Sequence, residues 1–125
     1  CGNPERESGW INEDVISAFT TLHEIGVAHS IEVWDGDGSL AGGLYGLELG
    51  GVFAGESMFH VVKNASKVAL VHLGSLLNDG QGRVIDTQWM TGHLESMGAK
   101  TIDRGDYCQI LPSLLGISPV LSVAN

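Results

Sequence analysis

Residues 28–59 read AHSIEVWDGDGSLAGGLYGLELGGVFAGESMF, and this stretch decides the fold class. Its opening, AHSIEVWD, alternates. Ile31 and Val33 fall on one face and Ser30, Glu32 and Trp34 on the other, the pattern of a half-buried strand. Asp35-Gly36-Asp37-Gly38 is turn chemistry. Residues 40–49 and 52–59 follow as two more strands, parted by Gly50-Gly51. Short turns between three strands predict an antiparallel meander. Gly42, Gly43, Gly46 and Gly55 lie inside these strands, where glycine marks a bulge or a close backbone approach.

Helices flank the meander. Upstream, Asn12 is an N-cap before Glu13 and Asp14, and Val15, Ile16, Phe19, Leu22 and Ile25 recur at helical spacing as far as Gly26. The helix is expected over 12–26. Downstream, Asn64 should cap a helix over 65–78 that carries Val68, Val71, Leu73, Leu76 and Leu77 and stops at Gly80. Residues 84–89, VIDTQW, have strand character, with Val84, Asp86 and Gln88 facing one way. A short helix over 91–97 ends at Gly98, and another over 104–111 starts near Asp103 and carries Tyr107. Signals are weak in 112–125, which holds Pro112 and Pro119. The order α-β-β-β-α-β-α predicts an α+β domain with a mixed sheet.

With 125 residues the chain is read as one domain, and 43% hydrophobic against 17% charged residues excludes disorder. No apolar run approaches the ~18–20 residues of a membrane span, so no membrane association is expected. The first residues, CGNPERESG, contain neither an apolar signal segment nor an initiator Met. The expectation is a cytoplasmic fragment or processed chain with a segment missing upstream. Cys1 and Cys108 read as thiols of a reducing compartment, and no metal site is expected. A net charge of −9, from 15 acidic and 6 basic residues, argues against nucleic-acid binding by phosphate neutralisation alone and suits a cationic partner. Nothing sets the oligomeric state; a monomer is the working expectation.

Several motif fragments carry no chemistry. His23 and His29 are six positions apart with Gly26 between them, which fails the i, i+4 spacing of a zinc-binding helix. Asp35-Gly36-Asp37-Gly38 would need a bidentate Glu at loop position twelve to bind calcium, and Gly46 stands there. The glycines of 42–51 contain no phosphate-binding loop. Asn64-Ala65-Ser66 reads as a helix start rather than a glycosylation acceptor, and Arg104-Gly105-Asp106 as a turn into a helix.

Two stretches place polar groups where strands bury apolar ones. Glu56 sits in Gly55-Glu56-Ser57-Met58-Phe59, and Asp86 and Gln88 sit in Ile85-Asp86-Thr87-Gln88-Trp89. On a regular strand Asp86 and Gln88 would share a face. Either they form a partnered site, since burial without partners is costly, or they line the solvated face of an edge strand.

SIEVW, GGLYGLELGGVFAGESMF, NASKVAL, VIDTQW and MGAKTIDRGDY together resemble the leucyl/phenylalanyl-tRNA–protein transferase family. Trp10-Ile11 and LHEIGVAHS extend the likeness to about residues 9–107. The resemblance implies a single GNAT-like (acyl-CoA N-acyltransferase-type) catalytic domain over 1–125, with the family's N-terminal domain absent from this chain. It implies transfer of Leu or Phe, and less efficiently Met, from aminoacyl-tRNA to an N-terminal Arg or Lys, which feeds the N-end rule degradation pathway. No metal or organic cofactor is implied.

By the same resemblance Gln88 engages the attacking amine with Asp86 polarising and orienting its carboxamide. Glu56 holds the acceptor's basic residue or amine. Leu44, Phe53, Met58 and Leu73 wall the donor side-chain pocket, and Trp10 stacks on the donor's terminal adenosine. Leu44 and Leu73 stand where the family often has Met and Phe; Thr91, where it often has Asn, is not carried over as a site. Lys63, Lys67, Lys100 and Arg104 are the basic candidates for tRNA contact. The competing readings are an acyl-CoA-dependent N-acetyltransferase, for which the helix start at Asn64 lacks the pyrophosphate-binding turn, and a truncated, non-catalytic binding domain.

Overall fold

The computed structural model describes residues 12–88 and 90–121. In chain order they form α1 (Glu13–Glu24), β1 (Ala28–Trp34), β2 (Leu40–Leu49), β3 (Val52–His60), α2 (Ala65–Leu77), β4 (Val84–Asp86), α3 (Gly92–Ser96) and α4 (Arg104–Leu115). The sheet runs β1-β2-β3-β4. Its first three strands are antiparallel, as the meander requires, and β4 lies parallel to β3. A parallel step needs a crossover, and α2 supplies it. The fold is therefore mixed α+β, a four-stranded mixed sheet with helices around it.

The core lies between α2 and one sheet face. Leu44, Phe53, Ala69, Leu73 and Leu77 form its buried cluster, with Ile31, Val33, Met58 and Ile85 packed against it. Phe53 and Leu73, 1% and 0% exposed, each contribute roughly 1.5–3 kcal/mol by leaving water. The buried stripe of α2 differs from the one its spacing suggests. Ala65, Ser66, Ala69, Leu73 and Leu77 face the sheet, while Val68 and Val71 are exposed. Small residues decide this, because they let the helix approach: a Cβ on Gly42 would sit 2.6 Å from that of Ala65.

Asn64 does not cap α2 with its side chain. Its φ is 69°, in the left-handed region, and it makes no capping hydrogen bond. An N-cap side chain reaches the first free amides only from an extended backbone. Asn12 meets that condition and accepts from the Val15 N–H at 3.0 Å. Along α1, Val15, Phe19 and Leu22 form one half-buried stripe, and Phe19 meets Tyr45 edge-on at 5.1 Å. Ile16 and Ile25 lie roughly 80–100° to either side of that stripe and are exposed.

Residues 112–121 are more regular than their sequence suggests. Helix α4 continues through Pro112 to Leu115 instead of stopping at 111. A tertiary contact holds that last turn: the Gly51 N–H donates to the Leu114 carbonyl at 2.6 Å. Residues 118–121 then dock on buried charges. Arg83 donates to the Ser118 carbonyl at 2.7 Å, and Glu48 accepts the N–H groups of Val120 and Leu121 at 2.8 and 3.1 Å. The Arg83 guanidinium and the Glu48 carboxylate stand 3.9 Å apart with side chains 5% and 1% exposed.

Candidate functional site

The site begins with a break in register. Leu44 pairs with Met58, Tyr45 with Ser57, and Gly46 with Gly55, so Glu56 has no partner across the β2–β3 ladder. Glu56 is the extra residue of a β-bulge, a device that re-aims side chains. Phe53 and Met58 are an odd number of positions apart and would face opposite sides of a regular strand. The bulge resets the alternation, and both pack on the α2 side. Gly46 permits it, since a Cβ there would collide with the Ala54 carbonyl oxygen and lie 2.7 Å from the Phe53 ring.

A cleft of about 540 Å³ opens on that side. Leu44, Phe53, Met58, Leu70, Leu73 and Ile85 supply its apolar wall, and Glu56, Thr87, Gln88 and His93 also line it. The structure thus gathers the four residues read as pocket walls together with Glu56 and Gln88. Asp86 is not among the lining residues.

The reason is local. Strand β4 ends at Asp86 rather than running to 89, and Gln88 has φ 71°, so the two do not share a strand face. The Asp86 carboxylate competes with the sheet for the backbone: its Oδ1 accepts the Gln88 N–H at 2.8 Å, closing a turn. Within β4, Ile85 pairs with Phe53 and Asp86 with Ala54, which puts Asp86 on the face away from the pocket. There Tyr107 of α4 donates to its Oδ2 at 2.8 Å. Asp86 therefore touches the Gln88 backbone, not its carboxamide.

The Gln88 side chain is held separately. Its Nε2 donates to the Gly55 carbonyl at 2.8 Å. A carbonyl can only accept, so the amino half must face Gly55, and that bond leaves the Oε1 half unused. β4 is an outer strand of the described sheet, and Gln88 is exposed while Asp86 is half-buried. The outcome joins both readings of the pair: an edge strand, but a partnered one.

Two tyrosines respond to the acids. Burial, and then the hydrogen bond to the Asp86 carboxylate, push the Tyr107 hydroxyl up to about 12. Burial and the charge of Glu56 raise Tyr45, whose buried hydroxyl has no hydrogen-bond partner among the described residues. Local sequence signals mark neither tyrosine, because their neighbours Phe19 and Asp86 lie far away along the chain. Thr91 lines the cleft and caps α3, accepting from the Leu94 N–H at 3.1 Å. Trp10 lies outside the described residues. Of the basic candidates Lys63, Lys100 and Arg104 are exposed, and Lys67 is half-buried in the first turn of α2. Among the described residues no helix is long and apolar enough to cross a membrane.

Fold and site define a mixed α+β domain whose apolar pocket adjoins one bulged carboxylate and one clamped carboxamide. The family model for leucyl/phenylalanyl-tRNA protein transferase matches residues 1–112, more than the quoted motifs covered. Proteins named leucyl/phenylalanyl-tRNA–protein transferase from Maricaulis maris and Rhodospirillum rubrum are 53% and 55% identical over 112 and 104 residues, which is 90% and 83% of this chain. One from Salinibacter ruber is 50% identical over 115 residues, 92% of this chain. These matches cover 51%, 48% and 50% of the relatives, so the chain spans about half the length of the curated relatives it matches. The chain belongs to the leucyl/phenylalanyl-tRNA protein transferase family.

Proposed function

We propose that this chain carries the transfer site of an aminoacyltransferase that moves Leu or Phe, and Met less efficiently, from aminoacyl-tRNA to an N-terminal Arg or Lys of acceptor proteins. The observation that carries the reading is the single cleft uniting Leu44, Phe53, Met58 and Leu73 with Glu56 and Gln88. An apolar side chain fits the wall, and a cationic N-terminal residue fits a carboxylate.

The chemistry is ester aminolysis. The acceptor amine attacks the ester carbonyl carbon, the ester C–O bond breaks, and the released ribose oxygen takes the proton. An α-amine with a pKa of about 7.7–8.0 is already partly neutral in the cell, so placement matters more than a strong base. Gln88 Oε1 accepts an N–H of the amine and aims its lone pair. Asp86 acts by fixing the Gln88 turn. Glu56 pairs with the acceptor's cationic side chain or amine. The ester is already activated, and the mechanism calls on no metal or organic cofactor.

The finer reading follows the family resemblance. The domain is GNAT-like, Trp10 stacks on the donor's terminal adenosine, and the enzyme is a cytoplasmic monomer of the N-end rule pathway. The net charge of −9 fits recognition of tRNA chiefly through its aminoacylated end rather than its phosphates. The test is transfer of labelled Leu from Leu-tRNA to an Arg-initiated peptide by the full-length protein. No transfer to Arg- or Lys-initiated peptides overturns the reading.

A further inference from the structure

Both oxygens of the Asp86 carboxylate are engaged. Oδ1 holds the Gln88 N–H and Oδ2 takes the Tyr107 hydroxyl, each at 2.8 Å. Gln88 stands at φ 71°, a conformation that side-chain-bearing residues adopt only when their surroundings hold them there. Its carboxamide reaches the Gly55 carbonyl from that conformation. The terminal torsion of an aspartate is soft, so one hydrogen bond does not fix the plane of its carboxylate, whereas two from different directions do. Tyr107 comes from α4, far along the chain, and neither it nor Asp86 lines the cleft.

We propose that Tyr107 is a positioning residue for the transfer step: by donating to Asp86 it holds the left-handed turn that presents the Gln88 amide oxygen to the substrate amine. The proposal rests on the transferase reading of the cleft. It assigns α4 a function as well as a packing role.

Tyr107→Phe removes one oxygen and keeps the ring. In the full-length protein its kcat for transfer falls about tenfold, the rate equivalent of one charge-assisted hydrogen bond, while KM for Leu-tRNA and for the Arg-initiated peptide stays within twofold. Asp86→Asn weakens the same contact without touching α4 and shows the same split. A helix that merely packs would lower stability or both KM values instead. The deciding measurement combines Tyr107→Phe with Gln88→Ala. If Tyr107 acts through Gln88, the double variant is no slower than Gln88→Ala alone. Additive losses overturn the proposal, as does an unchanged kcat in Tyr107→Phe when Gln88→Ala is impaired. Full activity of Gln88→Ala would instead bring down the assigned role of Gln88, and this proposal with it.

Discussion

The carboxamide of Gln88 hangs from the Gly55 carbonyl, 2.8 Å away, beside the unpaired Glu56 of the β3 bulge. One hydrogen bond thus ties the end of β4 to the residue preceding the bulge. Any shift of register between β2 and β3 would move Glu56 and the anchor of Gln88 together.

Backbone strain and chemistry separate cleanly at Gln88. Gln88→Gly releases the left-handed conformation at φ 71° but also deletes the bond to Gly55, and the two effects oppose each other, so stability should change by no more than about 1 kcal/mol. Transfer should fall about a hundredfold, since the amide oxygen is gone. Urea titration and single-turnover transfer check the two directions.

Glu56→Gln should raise KM for Arg- or Lys-initiated peptides by about tenfold, the worth of a hydrogen bond to a charged group, and leave KM for the tRNA donor nearly unchanged. Steady-state kinetics with each substrate varied in turn measures this. Equal losses for both would make Glu56 a structural residue of the bulge.

Leu73 is 0% exposed and lines the cleft floor beside Phe53. Leu73→Phe should shorten the pocket and lower the ratio of kcat/KM for Phe-tRNA over Leu-tRNA. One methylene in such a pocket is worth ~1–3 kcal/mol, so the shift should be readable. Overpacking should also cost about 1–3 kcal/mol of stability. A ratio that does not fall removes Leu73 from the donor wall.

Arg83→Ala removes the guanidinium that stands 3.9 Å from the buried Glu48, bonds Asp79 at 2.9 Å and holds the Ser118 carbonyl at 2.7 Å, and should destabilise the fold by about 3–5 kcal/mol. Hydrogen exchange at the Val120 and Leu121 amides, both held by Glu48, should quicken before the sheet does. Uniform exchange across the chain would separate the pair from the docking of the C-terminal segment.

Tyr107 gives the pH dependence its sign. Its hydroxyl is raised from 10.0 to about 12, so the protonated form favours the folded state. That contribution is complete below pH 10.0 and is lost as pH rises toward about 12. Urea midpoints of the parent should therefore fall across this window more steeply than those of Tyr107→Phe. Parallel curves would mean that the hydroxyl does not hold Asp86 in solution.

The meander was legible in the sequence because its signals are local. Alternation in Ser30–Trp34, turn residues at 35–38 and Gly50-Gly51 between apolar runs each act within a few residues, and tertiary packing had only to agree with them. The same holds for Asn12 as a cap. That Leu44, Phe53, Met58 and Leu73 would line one cleft came from the family resemblance and not from local signals. What the string could not settle was parity and direction. Whether Phe53 and Met58 share a face depends on a single residue without a ladder partner, which Gly46 permits by lying against the Ala54 carbonyl of the next strand. Whether Asp86 and Gln88 act from one strand face depended on whether the Asp86 carboxylate or a neighbouring strand would claim the Gln88 N–H. Tyr107, Arg83 and the segment at 118–121 find their partners across long stretches of chain. Such contacts leave no periodicity, since their energy is decided only once the sheet and α4 have met.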